Sequence, residues 1–301
     1  MSDSGTRDRE RLPTRTVAAQ SSTGWQTKFF LREKSRPTVE KHRLLGEAFA
    51  AWLREPVDAD GARLVFDGFA GAGAFAARDE EITPAIADAR CGSPLLLLRW
   101  AQHLAQARPL RFVFAEKNAV NFTRLCAAVG DFLEQPTAAT YVAPMGRVDI
   151  EHTSFEACAA RLLALPKSAS APGSLFSFVD PYSYDGLRCA TLVALAARGA
   201  LTVHVAAEAI CTKLLSAGGA SLRQTKRMDL LFGEVDAWTT LRQLAASLPA
   251  QQVKKLVAET MQRGLQTHDG VESSRLAALR DGDTFLLTAR GRSQRARLAR
   301  T

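Results

Sequence analysis

Short apolar runs that stop at an acid recur along this chain, separated by longer stretches with helical spacing. Arg63-Leu64-Val65-Phe66-Asp67, Arg111-Phe112-Val113-Phe114-Ala115-Glu116 and Leu175-Phe176-Ser177-Phe178-Val179-Asp180 are three such runs, and each predicts a buried strand. Arg147–Ile150 and Leu201–Val205 predict two more. Leu45, Phe49, Trp52 and Leu53 follow the spacing of one helix face, bounded by Pro37 and Pro56. Ser93-Pro94 reads as an N-cap followed by the first residue of a helix running from Leu95 to about Ala107. Phe122, Leu125, Cys126, Val129 and Phe132 share one face of the next helix. Thr153 with Glu156 forms a capping box for a helix that ends near Leu163, and another helix covers Leu187 to Ala197. Residues 208–265 read as almost wholly helical. Asp281-Gly282 is a turn between two strands, the second at Thr284–Leu287.

Strands alternating with helices predict an α/β fold: a mostly parallel, Rossmann-like sheet covered on both faces. The terminal hairpin would add the antiparallel edge strand of the class I methyltransferase version. Residues 1–24 are polar and rich in Ser, Thr and Arg, which predicts a disordered basic tail. Residues 25–301 form one domain in this reading, with 208–265 as a helical insertion, a loop insertion at 76–92 and a surface linker at 166–173.

Composition changes this picture little. Hydrophobic residues make up 47% and charged residues 23%, as in a soluble globular protein. No apolar run is long enough to span a bilayer, and the N-terminus lacks the apolar core of a signal peptide, so the expected location is cytoplasmic, away from membranes. Five cysteines, an odd number with no C-x-x-C pair, speak against a zinc site or a disulfide framework, and no metal is expected. Cys126 and Cys158 fall on apolar helix faces and read as core. The net charge is +8, with arginines gathered at both ends: Arg7, Arg9, Arg11 and Arg15, then Arg290, Arg292, Arg295, Arg297 and Arg300. Such clusters attract polyanions, and they equally serve solvation.

Candidate chemistry gathers where an open α/β sheet binds its ligands, beyond the carboxyl ends of the strands. Asp67-Gly68-Phe69-Ala70-Gly71-Ala72-Gly73 is a glycine turn at which the backbone can approach a ligand closely. The third glycine of the dinucleotide fingerprint is missing, because Ala76 stands in its place. A ligand without a pyrophosphate, S-adenosylmethionine (SAM), therefore fits better than NAD. Asp67, Gly71 and Gly73 are its candidate binding residues. Glu116 ends the second strand, where an acid can accept both ribose hydroxyls. Thr153 follows the third strand, where capping and a contact to adenine are both open. Asp180-Pro181-Tyr182 ends the fourth strand and faces the methyl group. There an acid and a backbone carbonyl can orient an acceptor while an aromatic ring stacks on a base. A plain structural turn would show the same three residues.

Several stretches together resemble the three-Cys-motif partner (TcmP) family. They are Lys41-His42-Arg43-Leu44-Leu45, Phe66 to Gly73, Gly92-Ser93-Pro94-Leu95, Phe178-Val179-Asp180-Pro181-Tyr182, Leu231-Phe232-Gly233 and Trp238, spread over roughly 25–290 in the family's order. The resemblance implies a SAM-methyltransferase-like fold in a bacterial system with a second protein, which carries the three cysteines. A weaker similarity runs to a bacterial ribosomal RNA adenine methyltransferase, through the Lys-His start, the Ala-Gly-x-Gly loop and the Gly-Ser-Pro turn. The resulting expectation is a SAM-dependent methyltransferase that acts on DNA or RNA and works with a partner protein. Lys213, Arg223, Lys226, Arg227, Lys254 and Lys255 would flank the crevice. The alternative is a binding partner that keeps the fold without catalysis.

Overall fold

The computed structural model describes residues 35–55, 63–75, 90–104, 110–134, 145–165, 174–182, 184, 186–216, 221–279 and 284–291. The tail at 1–24, most of the loop at 76–92, the linker at 166–173, the Asp281-Gly282 turn and the last arginines lie outside the described residues. In chain order the elements are α1 Arg36–Leu53, β1 Arg63–Asp67, α2 Ser93–Leu104, β2 Leu110–Glu116, α3 Ala119–Glu134 and β3 Met145–His152. They continue with α4 Phe155–Ala164, β4 Leu175–Val179, α5 Cys189–Arg198, β5 Gly199–Val205, α6 Ala207–Leu215, α7 Leu222–Phe232, α8 Ala237–Ala245, α9 Ala250–Gln266, β6 Val271–Ala278 and β7 Phe285–Gly291.

The sheet order is β3-β2-β1-β4-β5-β7-β6. All pairings from β3 to β5 are parallel, and β7 runs antiparallel between β5 and β6. This is the Rossmann-like sheet of class I methyltransferases. The hairpin expected from the sequence is present, but its antiparallel strand is internal, and β6 forms the edge. β7 is the apolar member of the pair, with Phe285, Leu286 and Leu287 buried, whereas β6 is largely exposed or half-buried. The strand with more apolar surface takes the position that buries both faces.

Parity along each strand sorts side chains onto two cores. Leu64, Phe66, Val113, Ala115, Leu175, Val179, Leu201, Val203 and Val205 face α4, α5 and the helices that follow. Val65, Phe112, Phe114, Phe176 and Phe178 face α1, α2 and α3. α1 is bound to this second face by an aromatic cluster: Phe49 meets Phe176 edge-on at 5.1 Å, and Trp52 lies 5.5 Å from the same ring. Arg63, buried at the start of β1, closes the carboxyl end of α1. It lies 4.8 Å from the Trp52 ring centroid and donates to the carbonyl oxygens of Trp52 and Leu53 at 3.2 and 2.7 Å. These contacts set where the amino-terminal half of α1 meets the crevice.

Two helix details differ from expectation. On α3 the buried face is Asn121, Leu125, Val129 and Phe132, so Cys126 is only half-buried and Phe122 stacks on His152 at 4.9 Å. The segment 208–265 divides into α6, α7, α8 and α9, broken at Gly233, which has φ 75°, and before Pro249.

Candidate active site

A crevice opens beyond the carboxyl ends of β1, β2, β4 and β5. It holds two cavities of about 440 and 640 Å³, and Phe69 and Tyr182 line both. The first also includes Lys41 of α1, Gly71, Gly73, Asp180 and His204. The second includes Glu116, Asn118, Asn121, Ser154 and Glu156.

The glycine turn after β1 is tied to both neighbouring strands. Gly68 N donates to Phe178 O at 2.9 Å, and Ala70 N donates to Ala115 O at 3.0 Å. Gly71 and Gly73 have φ of 63° and 76°, a left-handed backbone that side chains rarely adopt. Gly92 N donates to Gly73 O at 2.7 Å, and a Cβ on Gly92 would lie 2.8 Å from that oxygen. The turn and the start of α2 thus meet through two glycines.

Asp67 is fully buried and absent from the lining of either cavity. Its Oδ1 accepts from Phe69 N at 3.1 Å and its Oδ2 from the Ser93 hydroxyl at 2.7 Å. The carboxyl therefore supports the turn from beneath. Burial pushes its pKa up to about 7, only partly opposed by the bonds from Ser93 and Phe69, and the charges of Asp180 and Glu116 push the same way. Ser93, expected as an N-cap, lies inside α2 and spends its hydroxyl on Asp67.

Glu116 lies where expected, on the second cavity. Burial raises its carboxyl above the usual range, while the backbone amides of Asn118, Gly71 and Lys117 oppose the shift. The Asn118 amide donates to Oε1 at 2.6 Å. Thr153 is not the cap of α4. Its backbone amide donates to Glu116 O at 3.1 Å, and it is Ser154 that lines the cavity and caps α4, accepting from Ala157 N at 3.3 Å. Glu156 sits one position too early for a capping box and instead accepts from the Thr191 hydroxyl at 2.7 Å.

Asp180, Pro181 and Tyr182 come together on the first cavity. Pro181 is buried, and Tyr182 is 49% exposed, so its ring forms part of the rim. Burial raises the Tyr182 phenol above its usual range, and the charges of Asp180 and Glu116 add to the shift. Asp180 carries two partners that sequence reasoning did not assign to the site. Lys41 Nζ lies 2.5 Å from Oδ2, and His204 Nδ1 lies 2.8 Å from Oδ1. Burial opposes the charge on Asp180, but Lys41 and His204 outweigh it and hold the carboxyl well below the usual range.

Strand register explains the His204 contact. Phe178 pairs with Thr202 and Val179 with Val203, so the next alternation brings Asp180 beside His204 on the α1 side of the sheet. The sequence does contain Lys41 and His204, but nothing local marks them as partners of Asp180. None of the six cations expected to flank the crevice lines the first cavity. Lys254 approaches it indirectly, paired with the lining residue Glu208, and Lys255 lines a separate groove between α9 and β6.

No family model and no curated protein matches the chain. Solved structures do. The chain is similar to Trm1 from Pyrococcus horikoshii, solved in complex with S-adenosyl-L-methionine, at 12% identity over 88% of this chain and 60% of that one, with a TM-score of 0.42. It is similar to the SAH-bound methyltransferase PaMTH1 from Podospora anserina, at 12% identity over 92% of this chain and 100% of that one, with a TM-score of 0.41. A third is the N-methyltransferase NodS from Bradyrhizobium japonicum in complex with S-adenosyl-L-homocysteine, at 9% identity over 88% of this chain and 96% of that one, with a TM-score of 0.39. The class I assignment rests on strand order and register, not on these weak likenesses. Among the described residues, no helix is long and apolar enough to cross a membrane.

Proposed function

We propose that the chain is a SAM-dependent methyltransferase that acts on a nucleic acid, in a system with a second protein. The observation that carries the reading is the junction of two cavities at Phe69 and Tyr182, with Glu116 on one side and Asp180 beside the Gly71–Gly73 turn on the other. Those residues suit the donor: an acid for ribose hydroxyls, a left-handed glycine turn for close backbone approach, and an adjoining chamber for the reacting end. When bound, SAM supplies an electrophilic methyl group on a sulfonium. Glu116 binds the nucleoside portion, Gly71 and Gly73 admit the donor against the backbone, and Asp67 stiffens that turn through Ser93. Asp180, Pro181 and Tyr182 frame the acceptor, and Phe69 with Tyr182 narrows the passage that water would use.

A half-exposed tyrosine at the rim and a net charge of +8 support a nucleic acid as substrate. The resemblance to the three-Cys-motif partner family supports the second protein. The test is SAM titration by calorimetry, followed by tritiated-methyl transfer to DNA, RNA and protein, with gel shifts over a salt series. Label in RNA or DNA is the expected result. SAM binding with no transfer to any acceptor would leave a methyltransferase-fold binding partner without catalysis. No SAM binding would overturn the reading.

A further inference from the structure

We propose that two copies of the chain pair edge to edge through β6, about a twofold axis at Leu276, so that their sheets join into one. The proposal stands apart from the methyltransferase reading. Among the described residues β6 ends the sheet. Leu279 N donates to Thr284 O at 2.8 Å, so the pair that follows Ala278 and Phe285 is a hydrogen-bonded one. Alternation along an antiparallel ladder then turns the backbone groups of Ser273, Arg275 and Ala277 towards β7 and those of Ser274, Leu276 and Ala278 away from it. Gln262 Nε2 of α9 donates to Ser274 O at 3.2 Å, as it can to a carbonyl on the outer edge. An outward row of this kind is a template for another strand.

The same three strand residues line a groove of about 760 Å³ between β6 and α9. The helix lines it with Gln252, Lys255, Glu259 and Gln262, at a spacing that keeps them on one face. The core side of α9 is Val253, Val257, Ala258 and Met261, so the groove wall is a polar stripe beside it. Lys255 and Glu259 are 3.7 Å apart, and their side chains are 68% and 47% exposed. Leu276 is a partly buried apolar residue at the margin of the core, which a second leucine beside it would extend.

Self-complementarity selects a second copy as the occupant. Twofold pairing of antiparallel edges needs an axis perpendicular to the sheet, so one residue of β6 must face its own counterpart. With the axis at Leu276, the outward-facing Ser274 and Ala278 pair with each other in both directions. An axis one residue earlier would set Arg275 directly against Arg275, and like charges there are unfavourable. The helices agree with this register. Gln262 lies over Ser274, and α9 runs opposite to β6. The step from Ser274 to Leu276 is about 7 Å, or between four and five helical residues, which leads from Gln262 back to residues 257–258. That point is midway between Lys255 and Glu259. The two α9 helices lie antiparallel on the same face of the joined sheet, and Lys255 of each copy faces Glu259 of the other. The carboxyl edges of the two sheets point in opposite directions, which leaves both crevices open.

The test uses the full chain. Analytical ultracentrifugation at micromolar concentrations should give twice the mass of one chain, and a monomer throughout would overturn the proposal. Lys255→Glu should weaken association about tenfold or more, because it sets like charges face to face, and Lys255→Glu/Glu259→Lys should restore it. Association of Lys255→Glu at wild-type strength, or no recovery in the double variant, would overturn the contact between the helices. Leu276→Cys decides the axis even where the charge variants fail to fold. Under mild oxidation it should form a covalent dimer in which peptide mapping finds position 276 of one copy bonded to position 276 of the other. No cross-link, or one through a different cysteine, would overturn the pairing at Leu276.

Discussion

Lys41 and Asp180 are 139 residues apart and meet at 2.5 Å, joining α1 to the end of β4. Their side chains are only 11% and 21% exposed, so each charge depends on the other. Lys41→Met should destabilise the chain by on the order of 3 kcal/mol, because the largely buried Asp180 carboxylate then loses its ammonium partner. The double variant Lys41→Met/Asp180→Asn should recover part of that loss. A urea-denaturation double-mutant cycle measures the coupling, and strictly additive losses would mean the pair contributes nothing.

Asp67 makes stability depend on pH. Its folded pKa of about 7 lies above the ordinary 3.8, so the native state holds a proton that the unfolded chain has released. The stabilising contribution is complete below about pH 4 and is lost as pH rises to about 7. Asp67→Asn removes the ionisation while keeping an acceptor for Ser93. The variant should therefore gain on the wild type as pH rises from 4 to 7, which chemical denaturation at several pH values would detect. Parallel pH–stability curves would refute the shifted ionisation.

Glu116→Ala should weaken SAM binding about tenfold or more, since charge-assisted hydrogen bonds contribute roughly 1.5–3 kcal/mol. Calorimetry on the folded variant reads this directly, and unchanged affinity would remove Glu116 from the donor site.

Gly92→Ala should strike the same site from the opposite wall. The added Cβ would lie 2.8 Å from Gly73 O and 3.0 Å from Gly73 C, both backbone atoms that a rotamer change cannot move. Overpacking of this kind costs about 1–3 kcal/mol, so a lower Tm and weaker SAM binding should appear together. A variant with wild-type Tm and affinity would show that the turn tolerates displacement.

Much of the fold was legible along the chain. Strands buried on both faces must be continuously apolar, so Leu64-Val65-Phe66 and Phe112 to Ala115 declared themselves, and the acids that end them marked one edge of the sheet. The glycine turn was legible because Gly71 and Gly73 occupy left-handed backbone. Local pattern also placed Glu116, Asp180, Pro181 and Tyr182 near the crevice. It did not separate Thr153 from Ser154 as a cap, since both carry hydroxyls one residue apart. It also suggested a surface role for the cations of α7 and α9 beside the crevice, where none of them lines the cavity.

By itself, then, the sequence determined the alternation of strands and helices, the carboxyl edge of the sheet, and the acids that stand there. Tertiary structure alone decided what those acids do. Asp67 turned inward, where its buried carboxyl accepts from Phe69 N of its own turn and from the Ser93 hydroxyl that α2 brings from 26 residues away. Asp180 gained Lys41 through the docking of α1 on Phe176 and His204 through parallel register with β5. The internal position of β7 was likewise decided by which strand of the hairpin had apolar side chains for both faces. Parallel pairing and helix docking join residues far apart in the chain. No local spacing encodes such contacts, because their energy is realised only when separate apolar faces close over the same core.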